Sequence, residues 1–171
     1  MKISNALVST VLIMLCCGTV SQVNAATFSP VGQGFISSGN ATITMKSPAS
    51  WGAEVTCAIQ LLGSGRPDGS ALDITVVSLS GTSALCSQAR MGNFPWVLTP
   101  TSATTAVLTG VDYRVTGSIL FPATNCGPSS INVHMSNGAG GFDVSASNQW
   151  LANNCTVVSL NFKAFPLIIV P

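Results

Sequence analysis

Short runs in which apolar and polar residues alternate recur along most of the chain. In "EVTCAIQLL", every second residue from Val55 to Leu61 is apolar and falls on one face. In "CTVVSLNF", Val158, Leu160 and Phe162 share a face in the same way. A period of two is typical of a β-strand with one buried face. Helical periodicity is almost absent after residue 25, so the pattern predicts an all-β protein.

Nine runs carry this strand signal, and glycine, proline, asparagine and serine separate them. They are "GFISSGNATITM", "EVTCAIQLL", "LDITVVSLS", "PWVLTP", "TAVLTGVDYRVTGSILF", "INVHM", "GFDVSAS", "CTVVSLNF" and "PLIIVP". About nine short strands with regular turns predict a single-domain antiparallel β-sandwich of immunoglobulin-like architecture. The large candidates for its core are Trp51, Trp96 and Trp150.

The N-terminus has the layout of a secretory signal peptide. A charged residue precedes an apolar run from Leu7 to Cys17, and "VNA" offers small residues for cleavage after Ala25, or else after Ala26. The apolar run is too short to span a membrane, and no longer one follows. We therefore predict a signal peptide at residues 1–25 and one secreted domain at 26–171, which is extracellular or held in the periplasm or at the cell surface.

Four cysteines remain after cleavage, and an oxidising compartment favours their pairing. Four cysteines allow three connectivities. The intervals Cys57 to Cys86 and Cys126 to Cys155 are both 29 positions, and each reads as cysteine, strand, glycine-rich turn, strand, cysteine. This spacing favours two hairpins, each closed by a local disulfide. In the chain-entropy view each bridge would stabilise the fold by about 3–4 kcal/mol.

Cys126 lies eight residues before His134, the only histidine. The pair is open to three interpretations: a nucleophile with its base, half of a metal site, or a disulfide end followed by a strand. A bridged Cys126 has no thiolate, and His134 lies on the polar face of "INVHM", so the third interpretation is favoured. A serine hydrolase on His134 and Asp143 would lack a G-x-S-x-G turn. We expect no catalytic residue, metal or cofactor.

Charged residues are unusually sparse. Only 6% of residues are charged, and since Lys2 lies in the signal peptide, five cations and five anions remain after residue 25. Serine and threonine account for 33 of the 146 residues from 26 to 171. The lack of basic clusters excludes nucleic acid as a partner. Near-zero net charge favours self-association or adsorption, although many secreted Ser/Thr-rich β-proteins do neither.

Several segments occur in a distinctive order: "SPASWGAEVTC", "ALCSQARMGNFPW", "NCGPSSI" and "NNCTVVSLNFKAFPLIIVP". Together they resemble the protein activator of alkane oxidation family of small secreted bacterial proteins, over essentially the whole mature chain. The motif residues, besides the cysteines, are Phe94, Pro95, Trp96, Gly127 and Pro128.

The resemblance implies a secreted, non-enzymatic accessory protein that promotes the use of long-chain alkanes, with a hydrocarbon surface or the cell envelope as partner. The alternative is a fimbrial, coat or matrix subunit. A carbohydrate-binding module with an exposed tryptophan is a third option, although the sequence shows no cluster of aromatic residues with polar neighbours. No nucleic-acid partner and no transmembrane segment after cleavage are expected.

Overall fold

The computed structural model describes residues 26–171, and the predicted signal peptide lies outside them. Within these residues the chain forms thirteen β-strands, a short α-helix and a 3-10 helix at Pro48–Ser50. The elements in chain order are β1 Thr27–Ser29, β2 Gly34–Lys46, β3 Val55–Gly65, β4 Leu72–Ser80, α1 Ala84–Gln88, β5 Ala89–Met91, β6 Trp96–Pro100, β7 Thr105–Val111, β8 Tyr113–Val115, β9 Thr124–Asn125, β10 Ser129–Gly138, β11 Gly141–Leu151, β12 Cys155–Phe165 and β13 Ile168–Val170.

Eight of these strands form a closed antiparallel barrel rather than a sandwich. The order around the barrel is β2, β3, β4, β6, β7, β10, β11 and β12, and β12 pairs back onto β2. The contact between β7 and β10, with Val133 opposite Ala106, joins the two halves of the sheet. The all-β prediction is therefore confirmed, whereas the immunoglobulin-like sandwich of about nine strands is wrong. Alternation shows that a strand has one buried face but not whether the sheet closes on itself.

The interior of the barrel is apolar and tightly filled. Cys57, Ile59 and Leu61 of β3 all point inward, as their alternation predicted. In β12 the register shifts between Val157 and Ser159, so that Val157 is buried and Val158 lies outside. Because a β-bulge adds one residue to a strand, it moves the following residues to the opposite face. The predicted shared face of Val158, Leu160 and Phe162 is therefore wrong for Val158.

A two-stranded ribbon, β1 with β13, packs at one end of the barrel, which we call the ribbon end. The ring of Phe28 in β1 stacks on Phe142 with their centroids 5.3 Å apart. Asn137 of β10 fixes β13, because its amide accepts from the Ile169 backbone N–H and donates to the Ile169 carbonyl, each at 2.8 Å. The first residues of the described chain are thus paired within the domain.

The opposite end, which we call the disulfide end, carries α1, a small sheet of β5, β8 and β9, and both disulfides. Cys57 is linked to Cys86 and Cys126 to Cys155, the pairs that the equal spacing predicted. The first bridge ties α1 to the start of β3, and the second ties the approach to β10 to the start of β12. Both therefore hold the segments between barrel strands against the barrel.

Candidate functional site: an apolar stripe on the barrel

Cys126 and His134 do not form a site. The Cys126 sulfur is in a disulfide and fully buried, so it offers neither a nucleophile nor a metal ligand. His134 is exposed on the outer face of β10, opposite Thr105 on one side and Ser145 on the other. Asp143, two residues before Ser145 in β11, forms an ion pair with Lys163 at 3.4 Å. Among residues 26–171, no three His, Cys, Asp or Glu side chains are grouped so that they could hold a metal ion.

His134→Gln is expected to change the free energy of unfolding by no more than about 0.5 kcal/mol, because surface substitutions away from special contacts rarely do more. The measurement is urea unfolding of the purified variant beside the wild type. The same variant should support growth on alkane as well as the wild type does. Loss of that support in a stably folded variant would make His134 a functional residue.

Two segments that contain family-motif residues pack against the backbone around Asp112 at the disulfide end. Phe94 stacks on Trp96 with centroids 5.8 Å apart, and the indole N–H of Trp96 donates to the Gly92 carbonyl at 2.8 Å. The Gly92 N–H in turn donates to the Asp112 carbonyl at 3.2 Å. From the other side, Gly127 lies so close to the backbone of Asp112 that a Cβ on it would collide. Pro95 lies between Phe94 and Trp96, Pro128 follows Gly127, and both prolines are exposed.

Asp112 holds these segments together from an unusual position. Its side chain is fully buried, and Oδ2 lies 2.8 Å from Nη2 of the half-exposed Arg114. Gly92 also faces this carboxylate, and a Cβ there would be 2.8 Å from Oδ2. The carboxylate is paired with one guanidinium group, and a larger residue in place of Gly92 would crowd it, whereas a larger residue in place of Gly127 would crowd the backbone of Val111 and Asp112. In this chain, glycine therefore fits at Gly92 and at the motif residue Gly127 where a larger residue would not.

Ion pairing neutralises most of the few charges. Four ion pairs join Lys46 to Glu54, Arg66 to Asp73, Arg114 to Asp112 and Lys163 to Asp143. In residues 26–171 only Arg90 and Asp68 remain outside such pairs. Arg90 donates to the carbonyls of Ser87 and Ala89, and Asp68 accepts from the N–H and hydroxyl of Ser70.

Local hydrogen bonds and burial shift three pKa values in the direction that keeps each side chain in its ordinary charge state. The hydrogen bonds from Ser70 lower the pKa of Asp68, and the hydrogen bond to Asp73 raises the pKa of Arg66. Burial raises the pKa of Tyr113, which keeps the phenol neutral. The described surface therefore presents hardly any uncompensated charge.

Against this background, one row of apolar side chains crosses the outside of the barrel, and we call it the apolar stripe. Phe165 of β12 is the cross-strand partner of Ile36 in β2, Ile36 pairs with Leu62 of β3, and Leu62 pairs with Val76 of β4. Phe165, Ile36 and Val76 are 47%, 39% and 48% exposed, and Leu62 is partly buried between neighbours. Directly opposed residues lie about 5 Å apart, so the stripe is continuous over four strands.

The stripe forms a shallow groove of about 720 Å³ near the ribbon end. Its other walls come from Gln33, Ser64, Thr75 and Pro166 together with glycine backbone, and no charged residue lines it. At one end the Phe165 ring lies over Gly140, where a Cβ would be 3.6 Å from the ring. The groove is open and apolar, which suits contact with an extended apolar surface better than enclosure of a small ligand.

The sequence does carry a partial signal for the stripe. Each of its members adjoins an inward-facing apolar residue: Phe35 precedes Ile36, Leu61 precedes Leu62, Val77 follows Val76 and Ala164 precedes Phe165. Such doublets mean that one apolar residue of each pair must face outward. Their alignment into one row depends on strand register across the barrel, which local patterns do not determine.

The three tryptophans fall into two kinds. Trp96 is 1% exposed and belongs to the core, as expected. Trp51 and Trp150 are 79% and 78% exposed, so their assignment to the core is wrong. Trp150 follows the left-handed residue Asn148, a local irregularity in β11 that no alternation pattern reveals. Trp51 lies in the connection between β2 and β3, where no periodicity guides the prediction.

The enclosed pocket beside Tyr113 is too small to hold a ligand. This pocket lies among Met45, Val55 and Leu79 and measures about 10 Å³, space for one water molecule at most. Nor does any helix among residues 26–171 have the length and apolar character needed to cross a membrane.

These features define a class: a small, disulfide-linked β-barrel protein with a packed interior, paired charges and an apolar patch on its outer surface. The chain belongs to the alkane oxidation protein activator PraA/PraB-like family, whose sequence profile matches residues 1–170. This membership confirms the resemblance seen in the motifs, and it is consistent with an accessory role in alkane oxidation. No curated protein and no solved structure matches the chain.

Proposed function

We propose that this protein is a secreted, non-catalytic accessory factor that promotes the use of long-chain alkanes by adsorbing at the hydrocarbon–water interface through the apolar stripe. The observation that carries the proposal is the row from Phe165 to Val76, an exposed apolar band with no charged residue in its groove. The partner is the hydrocarbon surface, with the cell envelope as the second place of contact.

The energy available from the stripe is adequate for adsorption. Complete burial of one Val, Leu, Ile or Phe side chain contributes about 1.5–3 kcal/mol. The three exposed members, each near half exposure, would together contribute about 2–4 kcal/mol on meeting oil. Because RT is about 0.6 kcal/mol, this corresponds to a preference for the boundary of roughly 30- to 900-fold, before the cost of ordering the molecule there.

Surface contact is favoured over transport of alkane inside the barrel. The eight-stranded interior is filled by large side chains such as Trp96, Phe142 and Leu108, each at most 1% exposed. Eight-stranded barrels are either filled in this way or hold a small ligand. An alkane chain would have to displace the core, whereas the stripe is already accessible.

Charge pairing and cross-linking suit the protein to a crowded film. Paired charges reduce repulsion between neighbouring molecules, and two disulfides oppose the spreading that an interface favours. The two disulfides also fit an extracellular or periplasmic location. These features support secretion, which the predicted signal peptide at residues 1–25 provides for.

The experiment is droplet-shape tensiometry of the mature protein against hexadecane, at low and at molar salt. The protein is expected to lower interfacial tension at both salt concentrations, because apolar contact is little screened and few free charges exist. It should consume no alkane and need no added metal or nucleotide. A highly charged protein of equal mass is the control, and equal performance of that control would contradict the interfacial mechanism.

That contrary result would favour the alternative, a fimbrial, coat or matrix subunit. High-molecular-weight ladders that resist SDS would then support this alternative. Donor-strand exchange is disfavoured as the route of assembly. Thr27–Ser29 already pairs with Ile168–Val170 of the same chain, so this N-terminal segment is engaged within its own domain.

A further inference from the structure

A second surface, at the disulfide end, has a different chemistry from the stripe. Trp150 of β11 pairs across the barrel surface with Thr156 of β12, and Thr156 pairs with Lys46 of β2. These residues, with Asn148 and Val158, line an open pocket of about 270 Å³. The indole of Trp150 is therefore an exposed aromatic plane bordered by a hydroxyl, an amide and an ammonium group.

Trp51 is at the same end of the barrel, in the connection that follows Lys46. It is 79% exposed and has φ 56° and ψ 30°, in the left-handed region, with Gly52 next at φ 77°. A bulky residue in this region is a conformational outlier that glycine would relieve. The Trp51 side chain therefore buries little surface in the fold, and its backbone conformation would suit glycine better.

We propose that this tryptophan surface binds neutral carbohydrate, with Trp150 as the platform of the main subsite and Trp51 as a second contact. A pyranose ring has a face of C–H groups with partial positive charge, which is attracted to the negative face of an indole. The hydroxyl groups at its edge need both donors and acceptors beside the ring. Asn148 and Thr156 provide these, and hydrocarbon would leave them unpaired.

The local charge selects a neutral sugar. The Lys46 ammonium is bound to the Glu54 carboxylate at 3.1 Å, so the pair supplies a donor and an acceptor without net charge. An anionic glycan would meet Glu54 as well as Lys46. Two tryptophans at one end of the barrel favour an extended glycan over a monosaccharide.

The site is independent of the proposed function. Along β12, Thr156 and Phe165 are nine residues apart, which is roughly 30 Å at the rise of a β-strand. The apolar stripe and the tryptophan surface can therefore be occupied at the same time. One molecule would then hold a polysaccharide coat at the disulfide end while the stripe contacts oil.

The test is a fluorescence titration of the mature protein with neutral oligosaccharides: maltohexaose, cellohexaose, mannohexaose and an isomaltose hexamer. At least one is expected to bind at millimolar concentration and to protect tryptophan emission from acrylamide quenching. Trp150→Thr should weaken that binding at least tenfold, and Trp51→Gly severalfold. Both variants should unfold at the wild-type temperature or, for Trp51→Gly, slightly above it.

Ile119→Thr with Leu120→Thr is the matched control, because both side chains are strongly exposed in the loop between β8 and β9 at the same end. This control should leave sugar binding unchanged. The proposal is overturned if none of the four oligosaccharides binds at concentrations up to about 50 mM, near the weakest useful affinities. It is also overturned if Trp150→Thr binds sugar as tightly as the wild type. Tensiometry of Trp150→Thr without sugar should match the wild type, and a loss there would assign Trp150 to oil contact instead.

Discussion

Trp96→Ala is expected to lower the free energy of unfolding by about 3–5 kcal/mol, the usual cost of truncating a buried aromatic residue. Trp96 is 1% exposed, and its indole N–H satisfies the Gly92 carbonyl at 2.8 Å. The alanine variant would lose the packing and leave that carbonyl without its partner. Urea unfolding followed by circular dichroism measures the loss.

Trp51→Gly is the matched control, since it also removes an indole. Because Trp51 is 79% exposed in a backbone conformation that favours glycine, its removal should cost nothing or stabilise slightly. A similar loss in both variants would contradict the division into one structural and two exposed tryptophans. A small effect of Trp96→Ala alone would mean that the two motif segments are not held through Trp96.

Removing the disulfide between Cys126 and Cys155 is expected to lower the free energy of unfolding by about 2–5 kcal/mol. Both cysteines are fully buried, and their bridge closes a loop with a sequence separation of 29. The double variant Cys126→Ala with Cys155→Ala frees this loop in the unfolded chain. Guanidinium unfolding, compared with the wild type under non-reducing conditions, provides the measurement.

The other disulfide is an internal standard for this prediction. Cys57 and Cys86 are separated by the same 29 positions, so the entropic part of the loss should be nearly equal. The free energies of unfolding of the two double variants are expected to lie within about 1.5 kcal/mol of each other, which allows for differences in native packing. If neither double variant had a lower free energy of unfolding than the wild type, the disulfides would not stabilise the barrel.

Local patterns in the sequence predicted the strands well where the period of two is unbroken. The quoted run "LDITVVSLS" is β4, Leu72–Ser80, and the inward face of β3 follows from its alternation. The cysteine spacing predicted both disulfides, because each interval encloses one hairpin. These features depend on residues near each other in the chain, which is why sequence alone was sufficient.

Features that depend on distant contacts were not predictable. Barrel closure depends on the pairing of β7 with β10, and no local pattern shows which strands of a sheet meet. The three-residue strands β1, β5, β8 and β13 and the two-residue strand β9 are too short to show a period. The apolar stripe needs the register of four strands at once, although the apolar doublets hint at outward members.

The exposed tryptophans show where a general rule failed. Large aromatic residues are usually buried on average, which led to three core assignments and two errors. Trp150 faces outward because β11 is irregular at Asn148, and Trp51 lies outside any strand. Both errors fall on the surface proposed to bind carbohydrate, as expected when a residue is kept for a purpose other than folding.

The central claim is that the apolar stripe is the face that contacts hydrocarbon, and its most direct test is tensiometry of a stripe variant against hexadecane. Ile36→Thr, Val76→Thr and Phe165→Thr together place β-branched residues, which suit strands, at all three positions while removing exposed apolar area. The control is Ile119→Thr with Leu120→Thr, which removes exposed apolar area at the other end of the barrel. Circular dichroism should first show that both variants fold.

The stripe variant is expected to need at least tenfold more protein than the wild type for the same fall in interfacial tension, because about 2–4 kcal/mol of apolar contact is largely lost. The control should match the wild type to within about twofold. Added to a strain that lacks the gene, the control protein should restore growth on hexadecane and the stripe variant should not. Equal surface activity of the stripe variant and the wild type would contradict the account.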